Sequence, residues 1–106
     1  MKILSRTEET ILLAVRALEP EAYGLAIGAH LKKMTGKSWS VGSVYIPLER
    51  LEQRDLLASN EGEPSPQRGG RSKRFFKLSP KGLEALAEAK RLHDALWAAL
   101  PKKGLT

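Results

Sequence analysis

The sequence predicts a mainly α-helical domain with one small β-hairpin, on the basis of three observations. Apolar residues recur at intervals of three and four in four separate segments of the 106-residue chain. Each segment begins or ends at a residue type that commonly caps or stops a helix. Between the third and fourth segments, two short apolar runs flank a polar stretch rich in Gly and Pro, which is typical of a hairpin. The length fits one domain with a single hydrophobic core.

Composition excludes several classes of protein. The chain is 42% hydrophobic and 28% charged, which is typical of a globular protein rather than a disordered or fibrous one. It contains no Cys, so disulfides, thiolate metal sites and cysteine nucleophiles are excluded. No apolar run approaches the roughly 20 residues that span a bilayer, and the amino terminus lacks the pattern of an export signal. We therefore expect a cytoplasmic protein without a membrane partner.

The positive charge is concentrated in one segment. The formal net charge is +6, and residues 67–77 contain five basic residues and no acidic one. The remaining Lys and Arg nearly balance the 12 acidic residues of the chain. A focused basic patch attracts polyanions such as nucleic acids through Coulomb attraction and counterion release. The alternative interpretation is an ordinary solvated surface loop.

The first two predicted helices have recognisable ends. Ser5–Glu8 matches the capping box S-x-x-E, and Pro20 ends the first helix near residue 19. The second helix is expected over about residues 21–35. Gly24 and Gly28 lie four residues apart within it, and this spacing indicates close approach of another backbone. The alternative interpretation is a poorly formed helix.

The third helix is expected from Val41 to about Arg54, with Ser40 as its cap. Pro47 removes one backbone hydrogen bond inside it, so we expect local distortion there. The helical period predicts two opposite faces. The buried face contains Val44, Leu48 and Leu51, and the exposed face contains Ser43, Ile46, Glu49, Arg50 and Gln53.

A hairpin follows the third helix. Its first strand is expected to begin at Leu56, and its second strand to cover Lys73–Leu78. In the second strand, Phe76 and Leu78 lie on the same face. The intervening segment, residues 60–72, is too polar and too rich in Gly and Pro to pack. We expect it to be a long, mobile loop that carries the basic cluster.

The last helix is expected from Pro80 to about Leu100, with Ser79 as its cap and Pro101 at its end. Its apolar face is about twice as wide as the stripe of roughly 100° that docks a surface helix. A face of this width contacts two surfaces, and the second is most simply another copy of the chain. The apolar face contains Leu83, Ala85, Leu86, Ala89, Leu92, His93, Leu96, Trp97 and Leu100.

This order of elements predicts a winged helix-turn-helix domain over residues 1–78, followed by a dimerisation helix and tail over residues 79–106. In such a domain the third helix enters the major groove of DNA, and the hairpin tip contacts the backbone or minor groove. Ser43 and Arg50 can form hydrogen bonds there, and Ile46 can contact a thymine methyl group.

Several segments in this order resemble the PadR family of bacterial transcriptional regulators. The resemblance covers about residues 4–83. It is carried by Glu21–Gly24 with Ile27, Ser40–Tyr45, Leu48–Glu52, Gly69–Arg71 and Lys73–Ser79. One departure from the family pattern is Asp55, which stands where many relatives have a glycine.

The resemblance implies a dimeric repressor that binds a roughly palindromic operator in double-stranded DNA and is released by a small effector molecule. It also implies that Tyr45 contacts a DNA phosphate, although a half-buried packing role is the alternative. The short tail is similar to that of members with a single dimerising helix. The predicted DNA-contacting residues are Ser40, Ser43, Tyr45, Ile46, Arg50, Arg68, Arg71, Lys73 and Arg74.

Trp97 suggests where an effector would bind. An aromatic residue on a dimerising helix can line a flat apolar cleft between subunits, which suits an aromatic or drug-like ligand. The alternative is an interface anchor that binds no ligand. The predicted dimer interface or effector pocket comprises Leu86, Leu92, His93, Leu96, Trp97 and Leu100.

The sequence does not predict an enzyme. His30 and His93 are the only histidines, and neither has partners at the spacing of a triad or metal site. No cofactor or metal is expected. Gly69-Gly70 lacks the lysine-serine or lysine-threonine signature of a phosphate-binding loop. Two other functions remain open, namely a protein-interaction module on the same scaffold and an RNA-binding accessory protein that uses Phe75 beside Lys73 and Lys77.

Overall fold

The computed structural model describes residues 3–62 and 73–102. Within these residues the chain forms four helices and a two-stranded antiparallel hairpin, which confirms the predicted fold class. The predicted mobile loop lies mostly outside the described residues, together with Arg68 and Arg71. The elements are α1 (Arg6–Leu18), α2 (Gly24–Thr35), α3 (Val41–Gln53), β1 (Leu57–Glu61), β2 (Arg74–Leu78) and α4 (Pro80–Ala98). We call the hairpin β1–β2 the wing.

Three helices begin at the serines that the sequence predicts. Ser5 forms a complete capping box with Glu8 at the start of α1. The hydroxyl oxygen of Ser40 accepts a hydrogen bond from the Ser43 N–H at 3.1 Å, and that of Ser79 accepts one from the Gly82 N–H at 3.0 Å. Each bond satisfies a backbone donor that the first helical turn leaves free.

The second helix begins later than the sequence predicts. It starts at Gly24 rather than near residue 21, because Tyr23 is extended and both Ala22 and Tyr23 pair with β2. The Phe76 N–H donates a hydrogen bond to the Ala22 carbonyl oxygen at 2.8 Å, and Tyr23 forms a bridge with Phe75. The connection between α1 and α2 therefore pairs with the outer edge of the wing, which otherwise would leave its backbone groups unpaired.

The backbone geometry at the end of α3 explains how Asp55 can occupy a position where glycine was expected. This residue has φ 61°, in the left-handed region that favours glycine but that Asp also adopts. Its N–H donates to the Glu52 carbonyl at 3.0 Å, and the Leu56 N–H donates to the Leu51 carbonyl at 2.9 Å. These two bonds form a Schellman motif, so Asp55 ends α3 as a glycine would.

The start of α4 packs directly against this exit. The Leu56 carbonyl accepts a hydrogen bond from the Ser79 N–H at 3.1 Å, and the Ser79 hydroxyl donates to the Asp55 carbonyl at 2.5 Å. A Cβ atom on Gly82 would lie 2.1 Å from the Leu56 carbonyl oxygen, so only glycine permits this approach. Helix α4 is consequently fixed to α3 through backbone contacts.

One hydrophobic core lies between α1, α2, α3 and the wing. The predicted inward residues of α3 belong to it, and Phe76 and Leu78 share the inner face of β2 as predicted. Its buried members are Ile11, Leu12, Ala14, Val15, Ala22, Ile27, Leu31, Val44, Leu48, Leu51, Leu56, Leu57, Phe76 and Leu78. No helix among the described residues has the length and apolarity needed to cross a bilayer.

An ion pair between α1 and α3 supplements the core. The Glu8 carboxylate accepts a hydrogen bond from the Ser5 N–H at 2.8 Å and one from Arg54 Nη1 at 2.5 Å. Burial acts to raise the pKa of Glu8, but the Ser5 and Arg54 contacts outweigh it and lower the pKa below its ordinary value. Glu8 therefore stabilises the folded state as a carboxylate.

Replacing Glu8 with Gln is expected to lower the free energy of unfolding near pH 7 by about 1–3 kcal/mol, because a charged hydrogen-bond partner is lost. The native pKa of Glu8 is depressed, so its contribution is present above the unfolded-state pKa of about 4.3 and is lost as the pH falls through the native pKa. Urea denaturation of wild type and Glu8→Gln should give free energies that converge in acid.

The control for this experiment is Glu88→Gln, which removes an exposed pair with Arg91 on α4 and should change stability by less than about 1 kcal/mol. A difference between wild type and Glu8→Gln that stays constant from neutral to acidic pH would contradict the assigned role of Glu8.

Candidate nucleic-acid interface

Helix α3 presents one face to the core and the opposite face to solvent. Val44, Leu48 and Leu51 are buried, as the period predicts. The helix continues through Pro47, which is half-buried. All the residues predicted to face away are exposed, namely Ser43, Ile46, Glu49, Arg50 and Gln53. The face assigned to DNA is therefore accessible along the whole length of α3.

Two of the predicted contact residues also maintain the start of α3. The Ser40 hydroxyl oxygen accepts from the Ser43 N–H, and the Ser43 hydroxyl donates to the Ser40 carbonyl at 2.8 Å. Both residues are exposed. The proton of the Ser43 hydroxyl is thus already donated within the helix, and its oxygen can still accept a hydrogen bond.

Tyr45 lies against the first residue of α2. A Cβ atom on Gly24 would lie 2.0 Å from the Tyr45 hydroxyl oxygen, whereas a Cβ on Gly28 would be 3.8 Å from its nearest neighbour, on Val44. The prediction that another backbone approaches both glycines is wrong. Only Gly24 has a close neighbour, and that neighbour is a side chain. A tyrosine ring, rather than a backbone, requires glycine at position 24, and position 28 has ordinary contact distances.

The position of Tyr45 is compatible with both roles that the sequence left open, namely packing and contact with a phosphate. The residue is half-buried and packs against the core. Its hydroxyl nevertheless lies at the N-terminus of α2, where Tyr23 supplies no side-chain cap to the first backbone N–H groups. Packing therefore holds the Tyr45 hydroxyl beside a helix end whose dipole favours anions.

Lys73 is held at the root of the wing. Its Nζ atom lies 4.0 Å from the centroid of the Tyr23 ring, and that ring contacts Phe75 edge-to-face at 5.8 Å. Cation–π attraction thus holds this cation over the side chain of Tyr23, the residue that precedes α2. The Tyr45 hydroxyl lies against Gly24, the first residue of that helix.

Arg74 has a structural partner that the charge pattern did not indicate. Its guanidinium group pairs with Glu52 of α3, and its Nε donates to the Ser59 hydroxyl at 3.0 Å. The Ser59 hydroxyl in turn donates to Glu52, and the guanidinium lies 5.1 Å from the Phe76 ring centroid. Arg74 therefore connects the wing to the C-terminal end of α3, and its contact with phosphate stays a prediction.

The two halves of α4 have different surroundings. Gly82 and Ala89 are buried, and Leu86 packs against the core. His93 is half-buried, with Nε2 3.6 Å from a carboxylate oxygen of Glu9 on α1. The predicted interface residues beyond them are exposed: Leu92 by 37%, Leu96 by 60%, Trp97 by 66% and Leu100 by 45%.

A small cleft forms where α4 passes the beginning of α1. It has a volume of about 240 Å³ and an apolar lining that includes Leu4, Ala89 and Leu92. His93 also borders it. Among the described residues, no group of three or more acidic or histidine side chains is arranged to hold a metal ion.

Solved structures with the same arrangement include several transcriptional regulators. A PadR-like transcription factor from Bacteroides fragilis is 30% identical, with a TM-score of 0.73 over 86% of this chain and 82% of that one. A PadR-like transcriptional regulator from Bacillus cereus is 26% identical, with a TM-score of 0.70 over 86% and 84%. No curated protein matches the sequence significantly.

The sequence also matches a protein-family model. The match covers residues 11–88, from the middle of α1 to the middle of α4, and the model describes the transcriptional regulator PadR-like family. The match includes α3 with its cap, the wing and the extended residues that pair with it. The chain therefore belongs to the PadR-like family of transcriptional regulators, which regulate through DNA binding.

Proposed function

We propose that the protein is a dimeric repressor that binds a roughly palindromic operator in duplex DNA and is released by a small aromatic or drug-like effector. The observation that carries this proposal is the exposed face of α3 with the wing fixed beside it by the Arg74–Glu52 pair. This pairing of elements is the one that winged helix-turn-helix proteins use on DNA, with the helix in the major groove.

Electrostatics support duplex DNA as the partner. Segment 67–77 contains five basic residues and no acidic one, and it accounts for most of the net charge of +6. Lys73 and the Tyr45 hydroxyl lie near the N-terminus of α2, where a phosphate group would meet both a cation and free backbone donors. We propose that Tyr45, Lys73 and Arg74 contact phosphates together with Arg68 and Arg71.

RNA is a poorer candidate than duplex DNA. The feature that favoured RNA was Phe75 as a stacking platform beside Lys73 and Lys77. In the structure Phe75 is half-buried and contacts the Tyr23 ring edge-to-face. A Cβ on Gly62 would lie only 2.6 Å from the Phe75 ring, so the backbone just after β1 covers part of it. These contacts reduce the ring surface on which a base could stack.

The salt dependence of DNA binding tests the proposal. If a dimer contacts about 8 phosphates, the logarithm of the association constant should fall against the logarithm of salt concentration with a slope near −7. Fluorescence anisotropy with a labelled duplex measures this slope. Lys73→Ala should reduce its magnitude by about 2, since each protomer loses one phosphate contact. Lys90→Ala, which removes an exposed cation from α4, is the matched control. A slope near zero for wild type would overturn the proposal.

Paired glycine substitutions test the position of Tyr45. Gly24→Ala forces the Tyr45 ring away from α2, because the new Cβ would overlap it. We expect this variant to lose DNA affinity to about the same extent as Tyr45→Ala. Gly28→Ala has room for its Cβ and should stabilise the fold by about 0.5–1 kcal/mol, through helix propensity, without loss of affinity. Equal DNA affinities for Gly24→Ala and Gly28→Ala would show that the Tyr45 position is irrelevant to binding.

The exposed half of α4 supports dimerisation through residues 79–106. Leu92 and Leu96 are four residues apart on α4, so their side chains are neighbours, and Leu100 follows two residues after the helix ends. We call these three exposed leucines the apolar row. Trp97 lies next to this row and is also exposed. Apolar rows of this kind are rare on soluble monomers and mark association surfaces. We propose that two protomers join along this row.

Replacing Leu96 with Glu is expected to produce monomers, because dimer formation would bury the new carboxylate among leucines. Sedimentation velocity measures the change. Ala87→Glu adds the same charge to an exposed position elsewhere on α4 and should remain dimeric. If Leu96→Glu sediments as wild type does, the interface lies on another surface.

The effector is proposed to bind beside the same interface. Trp97 supplies an exposed aromatic surface, and the 240 Å³ cleft lined by Leu4, Ala89 and Leu92 has room for one aromatic ring. The cleft lies where α4 passes α1, so a ligand there would contact both the dimerisation helix and the DNA-binding domain. Ligand binding at this position would alter the spacing of the two α3 helices, which supports release of the operator.

A further inference from the structure

The first two turns of α3 lack the side chains that usually recognise bases by hydrogen bonding. Residues 41–48 contain no Arg, Lys, Asn, Gln, Asp or Glu. Arg and Lys commonly recognise guanine, Asn and Gln recognise adenine, and Asp and Glu accept from cytosine. In helix-turn-helix proteins the N-terminal part of the recognition helix makes the base contacts. Base recognition by this part of α3 must therefore use another kind of contact.

Apart from Ser43, the exposed side chains in these two turns are apolar. Val41 is 69% exposed and Ile46 is 54% exposed. Ile46 lies close to the centre of the face opposite the buried stripe of Val44, Leu48 and Leu51, given 100° per residue. It is therefore directed at the floor of any groove that α3 enters.

Gly42 lies beside Ile46 on the same face. Among the described residues, a Cβ atom there would meet only the Ile46 Cδ1 atom, at 3.8 Å, so no contact within this part of the chain requires glycine at the position. The absence of a side chain does let the helix backbone come close to an external surface. Close approach is what short apolar side chains such as Val41 and Ile46 need to reach the edges of bases.

Ser43 is the one polar side chain on this exposed part of α3. Its hydroxyl proton is donated to the Ser40 carbonyl at 2.8 Å, so the oxygen is left to act as an acceptor. It cannot donate to guanine or thymine without giving up that bond. The next polar residues on the exposed face are Glu49 and Arg50, more than one turn further along.

We propose that Ile46 and Val41 recognise the C5-methyl groups of thymines in the major groove, and that this contact dominates sequence preference at the positions that the first two turns of α3 face. This inference rests on the proposed binding of duplex DNA. The C5-methyl is the only apolar group that a base pair presents in the major groove. Burial of one methyl group changes affinity about fourfold, and equivalent contacts in both half-sites of a palindrome change it about 15-fold.

Thymine-to-deoxyuridine substitution tests this inference, since it removes the methyl group and leaves base pairing unchanged. The probe is a duplex enriched from a random-sequence library by binding to the full-length protein. Each thymine is then replaced by deoxyuridine at matching positions of both half-sites. We expect a loss of about 15-fold at one or two positions, no change at the others, and the same salt slope for all duplexes.

Variants of α3 assign the methyl contact to its side chains. Ile46 is exposed, so Ile46→Ala should fold normally, bind the thymine duplex more weakly and lose most of the difference between thymine and deoxyuridine at one position. Gly42→Ala should weaken that difference as well, because it holds the backbone away from the bases. Gln53→Ala, at the far end of the same face, is the control and should retain the full difference.

The outcomes separate this inference from the proposed function. If no duplex is enriched and binding shows no salt dependence, the proposed function fails. If a duplex binds with a steep salt slope but deoxyuridine is tolerated at every position, DNA binding stands and the inference is overturned. If deoxyuridine is discriminated equally by wild type, Val41→Ala and Ile46→Ala, the methyl contact belongs to other residues and the inference is also overturned.

Discussion

The burial of one edge of α3 is the constraint on which the rest of the structure depends. Val44, Leu48 and Leu51 lie in the core, and rotating the helix about its axis would expose them at about 1.5–3 kcal/mol for each side chain. Their burial fixes which residues face outward. The pairs Arg54–Glu8 and Arg74–Glu52 then hold the C-terminal end of α3 to α1 and to the wing. The side chains that α3 presents to solvent are thus determined by the side chains that it buries in the core.

A second set of contacts fixes α4 relative to α3. The Leu56 carbonyl lies at the exit from α3, accepts a hydrogen bond from Ser79 and packs against Gly82. These are contacts between backbones, so they leave less freedom than contacts between flexible side chains. The direction of α4, the proposed dimerisation helix, is therefore coupled to the direction of α3, the proposed recognition helix. In a dimer, this coupling sets the separation of the two α3 helices.

Features that depend on local sequence were predicted well. The three capping serines, the buried stripe of α3 and the inner face of β2 follow from spacing and residue type alone. The start of α2 was not predicted correctly, because it is decided by a hydrogen bond from Phe76 to Ala22, more than 50 residues away along the chain. Local patterns carry no information about such a partner.

The candidate site shows the same division between local and distant information. Exposure of Ile46 and Arg50 followed from the helical period. The glycine spacing in α2 indicated a close approach, yet only the fold identifies Tyr45 as the neighbour of Gly24. The basic cluster indicated an anionic partner, but the pairing of Arg74 with Glu52 depends on how the wing lies against α3. Charge counting could not separate Arg74 from the other cations.

The bridge between Tyr23 and Phe75 has a consequence for how binding is controlled. It connects the start of α2 with the second strand of the wing, and the Arg74–Glu52 pair connects the wing with α3. In the proposed dimer, each protomer would accordingly carry α3 and the wing as one connected unit. An effector that releases the operator would then act by changing the angle or the distance between the two units, rather than the shape of either one.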